Sequence, residues 1–294
     1  MHIPAQMLNG AICPVSMGVA ALGVVAAAAQ SFRDRKDLPS PSKFALTGAA
    51  VFGLQMLNYP IWEGISGHLL GGVLAAALLG VPAGLLVVTL VVAVQALVFA
   101  DGGVAMIGAN VLNMALLGAG VGGLTARFIE KKLTRRSLAV GIAAGMSVML
   151  AALALCVEIA ASGRFTAQLG LTLLGAHAVL ALIEGVATAL LCAVLGRVSS
   201  RLGERPTLAL LCLACLPLSS LASSAPDAFE WTMARFGQLP DAPLFALAPF
   251  ADYVAFGSPI AGAALGLGLM AALGLALGLA LLPRPRRAQP PVIA

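Results

Sequence analysis

The chain has 294 residues, 60% hydrophobic and only 10% charged, against roughly a quarter charged in a soluble domain. That balance marks a polytopic membrane protein rather than a soluble enzyme or carrier. The formal net charge of +5 does not indicate nucleic acid, because the basic residues are few and lie between apolar runs without interleaved aromatics.

The apolar runs are long enough to cross a bilayer as helices, not as barrel strands. The first extends from about Cys13 to Ser31 and is followed, not preceded, by Arg33, Arg35 and Lys36. That charge order is the reverse of a signal peptide, so a retained helix with its N-terminus outside is expected. Next come two short apolar segments, Phe44 to Leu57 and Leu69 to Leu79, flanking the patch Asn58–His68. Its Gly and Pro residues predict irregular backbone at membrane depth, tolerated only where it is buried in protein or lines a cavity.

Further crossings are expected at Pro82 to Phe99, Val104 to Ala126, Leu138 to Ala160 and Leu169 to Leu195. Leu208 to Leu221 opens a different C-terminal part, with a polar loop from Ser223 to Ser258 and a last run from Pro259 to Leu282. The fold class is therefore all-α, a transmembrane bundle of about nine crossings. With the N-terminus outside, the clusters around Arg33, Arg127, Arg197 and the tail residues Arg284, Arg286 and Arg287 all fall on the cytoplasmic side, as does the C-terminus. Only Arg164 and Arg235 then remain outside.

Polar side chains within these runs are the candidates for chemistry. There are three histidines. His2 directly follows Met1, and its bulk opposes removal of the methionine. The Met1 amine, the His2 amide nitrogen and the His2 ring Nδ1 can then close fused five- and six-membered chelate rings on one ion. The amide must lose its proton, a change that nickel(II) or copper(II) best induces in a square-planar nitrogen field. An incidental polar chain end is the plainer account of His2. His68, on the same face, is the natural fourth nitrogen; alternatively it bonds a carbonyl released by the irregular loop.

His177 and Glu184 share a helix face, and Asn110 and Asn113 stand one turn apart. Interhelical hydrogen bonding or a role beside a metal suits either pair. Glu158, near an outer helix end, is expected to be solvated. Gly64-Ile65-Ser66-Gly67 has the GxSG pattern of rhomboid-type serine proteases, in which Ser66 and His177 would form the dyad. The Cys212–Cys215 CxxC lies in a Leu-rich run without a neighbouring strand–helix pattern, which favours packing over redox or zinc chemistry. The glycine-rich faces Gly118 to Gly120 and Gly262 to Gly274 suit close helix packing.

Several separated motifs occur in a familiar order: MHIP at the start, Gln55 to Pro60 leading to Ser66–Gly72, Phe99 to Gly103, Gly108 to Met114, and His177 through Glu184 to Thr188. Together they resemble the CbiM/NikM substrate-capture components of energy-coupling-factor (ECF) transporters for cobalt and nickel, over about residues 1–200. Residues 206–294 resemble the fused small component of such systems, with its PDGLE-like motif altered here to Pro226-Asp227-Ala228-Phe229-Glu230. Position 5 is Ala5 where that family leads one to expect an acidic residue.

The resemblance implies a metal domain over 1–205 and a two-helix C-terminal part over 206–294. It implies Ni²⁺ or Co²⁺ as transported substrate, with no catalytic cofactor, bound by Met1, His2 and His68. Ser66, Asn110, Asn113, His177 and Glu184 would then support or line the site. It further implies a multi-pass protein of the inner (plasma) membrane, working with a transmembrane coupling protein and cytoplasmic ABC ATPases. No GxxxxGK[ST] run is present, so the chain itself is not expected to hydrolyse ATP. An organic-solute permease is the remaining alternative.

Overall fold

Each apolar run folds as a helix, and among the described residues the bundle is all-α apart from one small β-hairpin. The computed structural model describes residues 2–34, 38–62, 64–239 and 248–282. Met1, Arg35, Lys36, Arg284, Arg286 and Arg287 lie outside the described residues.

In chain order the elements are α1 (Ile12–Arg33), α2 (Pro41–Met56), β1 (Tyr59–Trp62), β2 (Ile65–Gly67), α3 (Gly72–Leu79) and α4 (Val81–Val98). A continuous rod, Val104–Glu130, follows; it comprises α5 (Ile107–Asn110), a π-helical stretch (Val111–Val121) and α6 (Gly122–Glu130). Then come α7 (Arg136–Ala161), α8 (Ala167–Leu202), α9 (Glu204–Leu218), α10 (Ala228–Arg235) and α11 (Pro259–Leu281). Seven helices among the described residues are long and apolar enough to cross a membrane. The expectation of about nine crossings also counted α2, with 16 residues, and α3, with 8.

Local chemistry sets the ends of these helices. Ser40, Thr166 and Ser258 accept backbone N–H groups at the starts of α2, α8 and α11, and α2 and α11 open with proline. The 36 residues of α8 make it about 54 Å long. It therefore outruns the predicted Leu169–Leu195 segment and a hydrocarbon core of about 30 Å. At the centre, the valines of α4 (Val87, Val88, Val91 and Val92) pack with Phe44 and Phe52 of α2 and Met270 of α11. The glycine face of α11 lets it approach α2 closely: a Cβ on Gly274 would stand 2.9 Å from the Ala45 Cα.

The patch expected to be irregular is an antiparallel hairpin, with Tyr59 opposite Gly67 and Trp62 opposite Ile65. The C-terminal part extends it. The Ser66 N–H donates to the Pro226 carbonyl at 2.9 Å and the Ser223 N–H to the Asn58 carbonyl at 2.8 Å. The altered PDGLE-like motif then begins α10: Asp227 is its N-cap and forms a reciprocal capping box with Glu230. Ala228 and Phe229 fill the changed positions as the first helical residues, and the Phe229 ring is fully buried.

Candidate metal site

The site is assembled around a clamped N-terminal segment. The Ile3 N–H donates to Asn110 Oδ1 at 2.8 Å, while Asn110 Nδ2 and the Gly103 N–H both donate to the Ile3 carbonyl, at 3.2 and 2.9 Å. The side chains of Ile3 and Met7 are fully buried, and Arg164 donates to the Met7 carbonyl at 3.3 Å. Gly103 permits this approach, since a Cβ there would lie 2.4 Å from the Ala5 nitrogen.

Residue 2 is thereby carried into the end of the bundle where α2 and α4 finish. The His2 ring is buried, with Nδ1 3.0 Å from Asp101 Oδ1 and Nε2 3.0 Å from Gln95 Oε1. Gln95 Nε2 donates to the Tyr253 hydroxyl at 3.0 Å, and that hydroxyl donates to Asp101 Oδ2. Four side chains thus close a hydrogen-bonded ring. Burial works to raise the Asp101 pKa, but His2 and the Tyr253 hydroxyl hold it well below the usual carboxylate range.

His68 stands on the other side of His2; the two rings are stacked, with centroids 5.1 Å apart and planes 28° from parallel. Its Nδ1 lies 3.1 Å from the Leu69 carbonyl. A carbonyl only accepts, so the ring proton sits on Nδ1 and the lone pair on Nε2. Burial, reinforced by His2 alongside, pushes the His68 pKa down to about 3, leaving the neutral imidazole that metal ligation requires. The backbone after His68 is tied down in turn: the Leu70 and Gly71 N–H groups donate to the two Glu184 oxygens at 2.8 and 3.0 Å. Gln55 Nε2 donates to the Leu70 carbonyl at 2.6 Å.

His2, His68, Asp101, Asp227, Glu230 and Tyr253 face a common cavity of about 550 Å³. Burial, with Asp227 beside it, raises the Glu230 pKa to about 7. Among the described residues no group of three His, Cys, Asp or Glu side chains is placed to hold a metal. The expected ligand set needs only two such side chains, His2 and His68; Met1, its third member, lies outside the described residues.

The remaining candidates are dispersed. Asn110 clamps Ile3 and Glu184 holds the backbone after His68, as above. Asn113 Nδ2 donates to Glu158 Oε2 at 2.9 Å. Glu158 is 2% exposed, not solvated as expected, because the π-helical stretch packs on α7 and its Asn113 meets the carboxylate. The Ser66 hydroxyl is buried and donates to the Ala225 carbonyl at 2.6 Å. His177 Nδ1 donates to the Leu173 carbonyl at 2.7 Å, and its Nε2 has no partner among the described residues. The serine–histidine dyad is therefore not formed: the Ser66 hydroxyl is given to backbone carbonyls of the C-terminal part and not to His177. Sequence reasoning missed Gln95, the one amide in the apolar run of α4, together with Asp101 and Tyr253 as neighbours of His2.

Buried polar side chains gathered in a pocket where the helices of a membrane bundle end mark the class of membrane transport components. The chain belongs to the CbiM family, described as the cobalt uptake substrate-specific transmembrane region, whose sequence model matches residues 2–202. It is 41% identical over 192 residues to a protein of Archaeoglobus fulgidus named as a fused nickel transport protein NikMN, covering 64% of this chain and 63% of that one. It is 33% identical over 162 residues to the fused nickel transport protein NikMN of Rhodobacter capsulatus, covering 54% of this chain and 46% of that one. The chain thus spans less than two thirds of either relative. The crystal structure of a transition metal transporter superimposes with a TM-score of 0.58 at 30% identity, over 71% of this chain and 99% of that one.

Proposed function

We propose that this chain is the ion-capturing component of an uptake system for Ni²⁺ or Co²⁺ in the inner (plasma) membrane. The ion is held by the Met1 amine, the His2 amide and Nδ1 nitrogens, and His68. The observation that carries this reading is the stacking of His2 on His68, rings separated by 66 positions of chain yet 5.1 Å apart in a shared cavity. Nickel transport in the names of the relatives supports the same substrates.

On this reading the ion takes His2 Nδ1 from Asp101, and the displaced carboxylate remains nearby, held by the Tyr253 hydroxyl. Three nitrogens from two consecutive residues require little ordering of the chain. A planar set of four nitrogens disfavours tetrahedral zinc and the oxygen-seeking Mg²⁺ and Ca²⁺, so selection is geometric. Ser66, Asn110, Asn113, His177 and Glu184 shape the surroundings without binding the ion. Residues 1–205 form the metal domain and 206–294 a second part that walls its pocket. The N-terminus faces outward, and a separate transmembrane coupling protein and cytoplasmic ABC ATPases drive transport.

Acetylating the Met1 amine tests the chelate, since it removes that nitrogen as a ligand without adding another. The expected result is a purified chain that remains folded and carries no nickel by metal analysis, with the visible absorption of square-planar nickel gone. Undiminished nickel in the acetylated chain would overturn the reading.

A further inference from the structure

Tyr253 lies beyond residues 2–202, the span that matches the family, yet its hydroxyl joins the network around His2. The stretch that carries it is held against its own preferences. Asp252, Tyr253 and Phe256 have φ of 55°, 59° and 52°, a left-handed backbone that side-chain-bearing residues keep only where their surroundings fix it. Those surroundings are specific. The Phe250 N–H donates to the Val98 carbonyl at 3.0 Å and the Asp252 N–H to the Phe99 carbonyl at 3.2 Å. The Tyr253 ring stacks on Phe99 at 4.9 Å and meets the edge of Phe52 at 5.8 Å.

A phenylalanine would serve that docking equally well, so the hydroxyl calls for a separate account. It accepts from Gln95 Nε2 and donates to Asp101. The order of donation is informative: because the tyrosine proton goes to Asp101, its oxygen is available to Gln95, and the Gln95 carboxamide is turned with Oε1 toward His2 Nε2.

We propose that Tyr253 is a positioning residue for the ion site, acting through Gln95 to fix the plane of the His2 ring. This rests on the reading of His2 as a ligand. A ligating imidazole is oriented by the partner of its second nitrogen. When the ion holds Nδ1, the Nε2–H still donates to Gln95 Oε1, and Gln95 is held in turn by Tyr253. The C-terminal part therefore sets how firmly the N-terminal ligand grips the ion.

The test compares four chains, unaltered, Tyr253→Phe, Gln95→Met and the double variant, by equilibrium dialysis against nickel chloride with visible spectra. Tyr253→Phe keeps the ring and its stacking. The expected result is a nickel affinity about ten- to a hundredfold lower, but a cost of about twofold or less when Gln95 is already methionine. Unchanged affinity in Tyr253→Phe, or an equal loss in both backgrounds, overturns the proposal, the latter because it would signify a merely structural contact. Should Tyr253→Phe fail to fold, Gln95→Met alone carries the same expected loss, and full affinity there overturns the proposal. If the unaltered chain binds no nickel, the reading of His2 as a ligand fails first and takes this inference with it.

Discussion

Asn110 holds Ile3 by both of its backbone polar groups, accepting from the N–H at 2.8 Å and donating to the carbonyl at 3.2 Å. A buried carboxamide thus does for one residue what a neighbouring strand does in a sheet, and the residue before it is His2. Asn110→Leu keeps the approximate volume but strands a buried N–H, at a cost of about 1–3 kcal/mol. We expect the variant to insert, to melt at a lower temperature, and to bind nickel about ten- to a hundredfold more weakly. A nickel titration followed by absorbance checks this, and unchanged affinity would show that the clamp does not place His2.

Gly103 tests the same segment by volume instead of hydrogen bonding. Its backbone, at φ −74° and ψ 134°, is open to alanine, so no strain arises from conformation. The added methyl, however, would meet the Ala5 nitrogen at 2.4 Å and its Cα at 2.6 Å. Both are backbone atoms, which cannot turn aside. Gly103→Ala should push the N-terminal segment outward and cost about 1–3 kcal/mol. Nickel retention after gel filtration should drop with it; retention at the level of the unaltered chain would contradict the proposed seating.

The helices were legible because apolar runs between charge clusters have few other ways to satisfy their backbone in a membrane. The hairpin was not. Its first strand contains Pro60, which reads as a breaker, although on an edge strand the missing N–H costs nothing. The approach of His2 to His68 was anticipated from ligand chemistry, which depends on residue types alone. The roles of Gln95 and Tyr253 were hidden, because they meet across 158 positions of sequence and no periodicity encodes such a contact. Glu158 was misjudged for a related reason: closeness to a helix end suggests water, but Asn113 on the neighbouring rod covers it.

Glu184 supports the second imidazole from below. Its two oxygens receive the Leu70 and Gly71 N–H groups, both close to His68 in the chain. In Glu184→Gln one oxygen becomes an amide donor facing a backbone donor. The expected cost is about 1–3 kcal/mol, read as a lower thermal midpoint in detergent. Thr188→Val removes only a 3.4 Å bond to the same carboxylate and should cost less. Equal midpoints for Glu184→Gln and the unaltered chain would mean that the carboxylate does not anchor the loop.

Glu230 gives the fold a pH dependence of definite sign. Burial first, and Asp227 second, raise its pKa from the ordinary 4.5 to about 7. Between those values the folded chain binds the proton more tightly than the unfolded chain, so its stability falls as pH rises. The contribution is fully present below pH 4.5 and is lost as pH climbs through about 7. Glutamine keeps an oxygen for the capping contact to the Asp227 N–H but cannot ionise. The difference in thermal midpoint between Glu230→Gln and the unaltered chain should therefore grow in favour of the variant from pH 4.5 to 7.5. A difference that stays flat over that range would show that the carboxyl titrates as it does in water, and that α10 does not seal it against the hairpin.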